Sequence, residues 1–350
     1  MAKTLDELNK LYTEAEEVDR ELFAEQRSNL LLVAGEHYSK VNKAVASNIR
    51  TSGSKSGATE QKLRLTKNHM HKVHRSYKTA ILAEAPSTAI TPKNSTEMQD
   101  QKDAELNQSV WADIRHRHHF ESRTDTWADQ FVGIGEVCVK VFWDPMAGEF
   151  EGYEQKVDET GEPVLEEVMD ELTGEPRMEE VQDGFGNIFV QPVMEPTLDQ
   201  TKPLFKGDFV FEDIYGFNLM REAGTTNMEE KDRAWISRKM VDTEELKRRY
   251  PDDEIQKKIH ETANQTFVVF DANKNGYEKR QGQTLVKEYY WDVCTEYPEG
   301  WYCFATENVI LEEGPLPGGV FPLVWEGFDK HPSTPRGRSI IKVARPWQAE

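Results

Sequence analysis

The chain has 350 residues, of which 63 are acidic and 43 are basic, so its formal net charge is −20. This length suggests about two domains with a sizeable core, and the negative charge argues against general nucleic-acid binding because it repels phosphates. Three cysteines are too few for a disulfide scaffold. Neither a secretory signal nor a membrane-spanning stretch of roughly 18 apolar residues is found, so we expect a soluble protein made in the cytoplasm.

Helical periodicity dominates the first third of the chain. Thr4 and Glu7 have capping-box spacing. They precede a predicted apolar stripe at three- and four-residue steps, formed by Leu5, Leu8, Tyr12, Ala15, Val18 and Leu22. The next segment, residues 51 to 59, reads as a flexible loop.

Two further helices are predicted. One covers about residues 62 to 85 and ends before Pro86, with an apolar stripe of Met70, Val73, Tyr77 and Ile81. The other covers roughly residues 97 to 131 and ends at Gly133 and Gly135, with a stripe of Leu106, Val110, Ile114, Phe120, Trp127 and Phe131.

The hydrophobic period then changes to two. Val137, Val139, Val141 and Trp143 alternate, which predicts a strand with one apolar face. Further strands are expected at residues 209–211, 266–270, 286–293 and 301–305. Asp242 and Glu245 predict a helix that ends before Pro251, and a second short helix should cover about 253–262. Because helices come first and strands follow, we predict an α+β fold.

One internal repeat is clear. Thr-Gly-Glu-Pro begins at Thr160 and again at Thr173, and a third turn signal follows at residues 183–187. This spacing predicts a meander of β-hairpins, with a disordered acidic loop as the alternative. Residues 149 to 200 contain 16 acidic and 2 basic residues, so this segment carries −14 of the net −20.

Two groups of histidines suggest metal binding, formed by His69, His71 and His74 and by His116, His118 and His119. Neither group has the four-residue spacing of helical metal ligands. The first group interleaves with basic residues at helical spacing, and this stripe predicts either a surface for phosphate or acidic neighbours, or an ordinary solvated helix face. Its members are Arg64, Lys67, His71, Arg75 and Lys78.

Other chemical signals are weak. The segment beginning at Asp271 matches half of a calcium loop, but position twelve is Gly282 rather than an acid. Cys294 and Cys303 face each other if the intervening chain forms a two-residue hairpin, which allows either a disulfide or two packed free thiols. Because phosphate-binding, hydrolase and kinase motifs are absent from the sequence, we expect no enzymatic activity and no cofactor.

Several segments together resemble phage portal proteins, the head-to-tail connectors, especially those of short-tailed phages. They are NHMHKVHRSYKTAILAEAPSTAITP (68–92), ADQFVGIGEVCVKVFWDP (128–145), the stretch 209–252, LVKEYYWDV (285–293), NVILEEGPLPGGVFPLV (308–324) and RGRSIIKVARPWQAE (336–350). In the stretch 209–252 the portal-like pattern is a short strand, an aromatic pair, an Ala-rich turn, a Trp-Ile strand and a Thr-Glu-Glu-Leu helix. The last segment resembles portals in its Gly-Arg-Ser helix start after a proline-flanked strand.

The resemblance implies a homo-oligomeric ring, typically a dodecamer, at one capsid vertex of the virion. Double-stranded DNA would pass through it at packaging and ejection without sequence-specific binding. The partners implied are the large terminase subunit, the capsid and scaffolding proteins and the tail adaptor proteins, with no membrane. The basic stripe becomes a candidate subunit interface, since head-to-tail rings use two different patches.

The implied domains are a helical part of the wing ending in a strand (1–145), an acidic hairpin-repeat insertion (146–205), and an α+β part of the wing leading into the stem (206–350). The family's stem, clip and crown are expected beyond this chain. Two alternatives are a metal-dependent hydrolase using the His116–His119 cluster, and another virion structural or adaptor protein.

Overall fold

A computed structural model describes residues 3–35, 39–41, 48–50, 67–83, 88–156, 164–167, 176–182, 188–262, 282–330 and 334–348. The predicted loop at 51–59, the strand at 266–270 and the calcium-like segment lie outside these residues or mostly outside them. The fold is α+β with antiparallel sheets, as predicted.

The helices of the described residues are α1 Leu5–Val33, α2 His69–Ala83, α3 Met98–Arg117, α4 Phe120–Gly133, α5 Thr243–Arg249, α6 Asp253–Lys258 and α7 Ile340–Gln348. The strands are β1 Ser39–Val41, β2 Asn48–Arg50, β3 Glu136–Asp144, β4 Phe150–Gln155, β5 Leu165–Glu167, β6 Met178–Gln182, β7 Ile188–Pro192, β8 Met194–Pro196, β9 Leu198–Phe205, β10 Asp208–Ile214, β11 Leu219–Arg221, β12 Trp235–Asp242, β13 Gln283–Trp291, β14 Trp301–Ala305, β15 Ile310–Gly314, β16 Leu323–Gly327, β17 Asp329–Lys330 and β18 Gly337–Arg338.

By contacts the chain forms two compact units. The first combines Met1–Lys140 with Phe211–Glu350, and the second is Val141–Val210. The first unit contains an antiparallel sheet in the order β11-β12-β13-β14-β15, and β3 lies between β10 and β16 in a three-stranded sheet. The residues predicted as an insertion, 146–205, fall inside the second unit.

The largest core cluster joins α1 to the five-stranded sheet. Leu8, Tyr12 and Phe23 of α1 belong to one buried cluster with Tyr289 and Trp291 of β13. The capping box predicted at the start of α1 is present, because Thr4 and Glu7 bond reciprocally. Local sequence therefore starts this helix, and burial of its apolar face holds it on the sheet.

The buried face of α1 departs from the predicted stripe at one position. Val18 is 64% exposed, whereas the Asp19 side chain is only 13% exposed because its carboxylate forms an ion pair with Arg336 at 2.7 Å. The buried face thus runs from Ala15 through Asp19 to Phe23. Periodicity predicted that Val18 would face the interior here, but Asp19 does so instead because it forms an ion pair with Arg336.

The single helix predicted for residues 97–131 is two helices. His119 has a left-handed backbone with φ of 50°, and the chain breaks there between α3 and α4. The break lets Phe120 pack edge-to-face on Trp111 at 5.3 Å and on Phe211 at 5.0 Å between ring centroids. It also leaves Leu106 and Val110 of the predicted stripe exposed.

The strand predicted around residues 137–143 is β3, but its most buried side is not the valine side. Glu136, Cys138 and Lys140 are 0%, 1% and 5% exposed, whereas Trp143 is 54% exposed. Two charged residues can occupy this buried face because each has oppositely charged partners inside the protein. The predicted strand is confirmed. On its predicted apolar face Val139 is buried and Val137 and Val141 are half-buried, but Trp143 is exposed.

The second unit is one nested hairpin rather than a meander. β6 pairs with β7, β5 with β8 and β4 with β9, all antiparallel. The two copies of the repeat form β5 and β6, which both belong to the first half of the hairpin. Each of these strands pairs with a strand that follows residue 187. The meander prediction was wrong because equal spacing along the chain does not specify which strands pair.

The remaining elements follow the sequence closely. β14 has the predicted bounds, and β10 extends the predicted strand at 209–211. β13 begins three residues before the strand predicted at 286–293 and ends two residues before its predicted end. The Asp242 side chain caps α5 by accepting from the amides of Glu244 and Glu245, both at 3.0 Å. α6 ends at Lys258, four residues earlier than predicted.

Candidate functional site: the α2 surface and the buried charge networks

The start of α2 is attached to the end of α1. The Asn68 side chain accepts a hydrogen bond from the His71 amide at 2.8 Å and donates one to the Val33 carbonyl at 2.9 Å. Met70 is fully buried in a small cluster with residues of α1 and α7. These contacts determine which side of α2 faces the protein and which side faces solvent.

The predicted basic stripe is divided by the structure. Arg64 lies outside the described residues, while Lys67, His71 and Arg75 are exposed. The fifth member, Lys78, donates to Asp125 at 2.8 Å and to Asp129 at 2.7 Å on α4. Lys78 therefore joins two helices of the same chain. We call the exposed residues His71, Lys72 and Arg75 the α2 basic face.

The three histidines of the first group do not face the same side of the helix. His74 is buried beside α4, with its Nε2 at 3.3 Å from the Asp129 carbonyl oxygen and 3.7 Å from an Asp129 carboxylate oxygen. Burial lowers the pKa of His74 despite this carboxylate. His69 and His71 are exposed instead. His74 thus acts as a packed neutral side chain.

The second histidine group is also spread out. His116 is exposed, the His118 ring packs on Phe211 at 5.0 Å, and His119 forms the helix break. Within the described residues, no group of three or more His, Cys, Asp or Glu side chains is arranged to hold a metal ion. The structure does not bring the His116–His119 cluster together as a ligand set.

Arg336 is the centre of one buried network. Its guanidinium donates two hydrogen bonds to Glu136, one to Asp19 at 2.7 Å, and two to backbone carbonyls, those of Gly216 at 3.0 Å and Leu219 at 3.1 Å. All five donors of the guanidinium are thereby used. Burial opposes the charge of Arg336, but Glu136 and Asp19 outweigh it and raise its pKa.

Glu136 accepts two further bonds. The Gln26 side chain donates at 2.7 Å and the Trp325 indole at 3.2 Å. The network therefore ties α1, β3, β11 and β16 to the turn that precedes α7. Each of these groups is buried or half-buried, so removal of one partner leaves a charge without compensation in a low-dielectric interior.

Glu288 is the centre of a second network. Its side chain is 4% exposed and lies 2.8 Å from the ammonium groups of both Lys140 and Lys239. Ser237 and Tyr290 donate hydroxyl bonds to it at 3.1 Å and 2.9 Å. Burial alone would raise the pKa of Glu288, but the two lysines lower it to about 2. The carboxylate therefore stays ionised at neutral pH.

Arg238 connects α1 to β12 beside this network. It donates to the Tyr12 hydroxyl at 3.0 Å, to the Phe217 carbonyl at 2.9 Å and to the Glu16 carboxylate. Its guanidinium also lies over the Phe23 ring, 5.2 Å from the centroid. The bonds hold the first helix in a defined rotation on the sheet.

A small cleft of about 70 Å³ opens beside these side chains, lined by Glu212, Asp213, Ile214, Tyr215, Asn218, Ser237, Arg238, Lys239 and Glu288. Ser237 and Lys239 are bonded to Glu288, and Lys239 also contacts Glu212 at 3.2 Å. The polar groups of the cleft are therefore engaged with one another, which suits a structural network.

The two cysteines of the disulfide alternative are free thiols. Trp291 pairs with Trp301 across β13 and β14, and Cys303 lies opposite Tyr289. Cys294 is instead in the connection between the strands, where its amide donates to the Tyr297 carbonyl at 3.0 Å. Burial raises the pKa of Cys303 to about 12. The alternative of packed thiols is correct.

The buried networks were missed in the sequence, although a signal was present. Glu136, Lys140 and Glu288 each interrupt an apolar or aromatic strand segment. A single charge on the buried side of such a strand requires an internal partner. That signal identifies the residues but cannot name the partners, which come from distant parts of the chain.

No protein-family model matches the chain, and no curated protein sequence matches it significantly. Among the described residues, no helix has both the length and the apolar character needed to cross a membrane.

Proposed function

We propose that this chain is a subunit of a phage portal ring, through which double-stranded DNA is packaged and ejected. In this role it assembles with copies of itself at one capsid vertex. Its partners are the large terminase subunit, the capsid and scaffolding proteins, and the tail adaptor proteins. The ring contacts DNA without sequence-specific binding.

One observation carries the proposal: side chains from separate portal-like segments bond to one another inside the first unit. Arg336, in segment 336–350, bonds Glu136 in segment 128–145 and the Gly216 carbonyl in segment 209–252. Glu288, in segment 285–293, bonds Lys140 and Lys239 of the same two segments. Segments that carry a shared resemblance and are joined by two buried networks are expected of a common structural core.

The Gly-Arg-Ser helix start supports the proposal for a steric reason. A Cβ on Gly337 would overlap the Gly135 carbonyl oxygen. The Ser339 hydroxyl oxygen lies 2.8 Å from the Val132 carbonyl oxygen and 2.9 Å from that of Gly133, between which its one proton is shared, and it accepts from the Ile341 amide at 3.1 Å. The glycine pair that ends α4, Gly133 and Gly135, and the Gly-Arg-Ser segment therefore depend on close contact with each other.

The test is electron microscopy of the purified protein. We expect closed rings with a central hole of DNA width, twelve-fold by the resemblance, and a matching mass in native mass spectrometry. Monomers at all concentrations, or open filaments, would contradict the proposal. A closed assembly without a hole would favour another virion component instead.

A further inference from the structure

We infer that the exposed part of α3 docks on the α2 basic face of a neighbouring copy of this chain. The inference rests on the proposed ring, for which it names the two contacting surfaces. It is carried by an apolar ridge on α3 that continues from the interior into solvent, and by charges on α2 and α3 of opposite sign.

The ridge lies on one row of α3 in which every fourth residue is apolar except Lys102, which stands between Met98 and Leu106. Ile114 is 8% exposed and packs within its own chain, whereas Val110, Leu106 and Met98 are 48%, 63% and 71% exposed. Rows of this spacing form the ridges by which helices pack against one another. The exposed residues Met98, Leu106 and Val110 are here called the α3 ridge. Their exposure increases steadily with distance from the anchored end.

The helix that carries the ridge is long, but few of its residues are buried within its own chain. α3 has 20 residues, of which Ala104 and Ile114 are buried. Most of the stability of helices in proteins comes from packing of an apolar face, so the exposed apolar residues of this helix gain by packing against a partner. An exposed apolar row on a solvated helix is typical of an interaction surface.

The approach to α3 is nevertheless rigidly attached. The Gln108 side chain accepts from the Ile90 amide at 2.8 Å and donates to the Thr88 carbonyl at 3.3 Å. Asp100 accepts from the Asn94 amide at 2.9 Å, and Gln101 donates to the Ser95 carbonyl at 2.7 Å. These bonds attach residues 88–95 to the side of α3, so this segment and the ridge are held together before a partner binds.

The charges beside the ridge identify the partner surface. Asp103 and Glu105 are exposed on either side of Leu106, and Met98–Glu105 contains three acidic residues and one basic residue, Lys102. α2 contains Lys72, Arg75 and Lys78 and no acidic residue. Within the described residues, neither Asp103 nor Glu105 forms an ion pair.

The α2 basic face is equally without ion pairs to the described residues. Leu82 lies two turns beyond Arg75 on the same side of α2 and is half-buried. The alkyl stems of Lys72 and Arg75 can cover apolar surface while their charged ends meet carboxylates. The face thus offers both apolar contact for the ridge and positive charge for Asp103 and Glu105.

A contact between two different patches of identical chains is head-to-tail, and it closes into a ring when its rotation allows. A second copy is therefore the occupant that accounts for both surfaces at once. Lys78 is not part of this contact, because it is bonded to Asp125 and Asp129 of its own chain.

The test is a charge exchange read out by native mass spectrometry and electron microscopy. We expect Lys72→Glu with Arg75→Glu to lower the assembled fraction about tenfold at low salt, and Asp103→Lys with Glu105→Lys to do the same. All four substitutions in one chain should restore assembly, because the signs are complementary again. Lys257→Glu with Lys258→Glu, on exposed α6 residues, is the control and should leave assembly unchanged.

The apolar part has its own variant. Leu106→Ser with Val110→Ser should reduce assembly without lowering the melting temperature of the monomer, because both residues are exposed. Normal circular dichroism is expected for every variant. A loss of fold in the charge variants, or impairment that the four-fold exchange does not repair, would overturn the pairing.

The outcomes separate this inference from the proposed function. Rings that persist in both charge variants would overturn the docking and leave the portal proposal standing. Assemblies other than rings that respond to the exchange would support the docking and contradict the portal proposal. An unmodified chain that is monomeric at all concentrations would overturn both.

Discussion

Arg336 illustrates how a single buried cation can define the arrangement of distant segments. Its side chain is 5% exposed and its partner Glu136 is 1% exposed, so neither charge has access to bulk water. A guanidinium matches a carboxylate through two parallel bonds, whereas an ammonium offers a point charge with different geometry. The identity of this residue therefore matters as much as its charge.

We expect Arg336→Lys to lower the free energy of unfolding by about 3 kcal/mol, because lysine cannot replace the bonds to Glu136, Asp19 and two carbonyls together. Urea denaturation measures the loss. Arg248→Lys is the matched control, since Arg248 is 83% exposed and its contact to Glu244 is 3.9 Å. A control change above about 0.5 kcal/mol, or an Arg336→Lys change no larger than the control, would contradict this view.

Glu288 makes stability depend on acid pH. Its pKa is about 2 in the folded protein and 4.5 without these interactions, so the unfolded chain binds more protons between these values. Stability supplied by the carboxylate is present above about pH 4.5 and is lost as pH falls towards 2. We expect Glu288→Gln to flatten this part of the pH profile of unfolding.

The comparison for Glu288 should be made with Glu326→Gln, because the Glu326 side chain is 57% exposed and pairs with exposed Lys330. This control should retain the acid-side slope of the unmodified protein. Equal slopes in the Glu288→Gln variant and the unmodified protein would show that Glu288 is not the source of the dependence.

At the scale of elements, the junction of α4, β3 and β18 depends on close backbone approach. Gly135 has φ of 98°, and a Cβ there would overlap backbone atoms of Arg338 and Ser339. Gly224 has φ of 83° with no atom within 4 Å of such a Cβ. The two glycines share a left-handed backbone but differ in surroundings.

We expect Gly135→Ala to destabilise the protein by at least about 3 kcal/mol, because both backbone strain and overlap are added. Gly224→Ala should cost only about 1 kcal/mol, from backbone strain alone. Thermal unfolding followed by circular dichroism distinguishes them. Similar losses for both variants would mean that the close approach contributes little.

At the scale of the whole molecule, the net charge is concentrated in the second unit. The base of this unit is closed, since the Lys206 amide donates to the Glu149 carbonyl at 3.1 Å and their side chains pair at 2.7 Å. Phe150 also lies opposite Phe205 in β4 and β9. The two ends of the hairpin are therefore adjacent and can be joined by a short turn.

We expect replacement of residues 150–205 by Asn-Gly to leave the first unit folded, because that unit has its own core and buried networks. The removed residues include 15 acidic and 3 basic ones, so the net charge changes from −20 to −8. Circular dichroism, thermal unfolding and earlier elution from an anion exchanger test this. A chain that no longer unfolds cooperatively would contradict it.

Much of the local structure is determined by the sequence alone. The capping box at Thr4, the cap at Asp242 and the strand at 301–305 depend on neighbours within a few residues, so their patterns suffice. The helix break at His119 was not visible in the same way. The break is favoured because it lets Phe120 pack on Phe211, a residue 91 positions further along the chain.

What only the tertiary structure decided is which polar groups became partners. Apolar periodicity predicted a buried Val18, which is exposed, and it did not predict that Glu136 and Lys140 would be buried or Asp19 half-buried. These charged residues lie inside because Arg336 and Glu288 neutralise them. Likewise, Lys78 does not join the exposed basic residues of α2, because it pairs with two carboxylates of α4. Periodicity is a property of adjacent residues, whereas the cost of burying a charge depends on groups that only folding brings near.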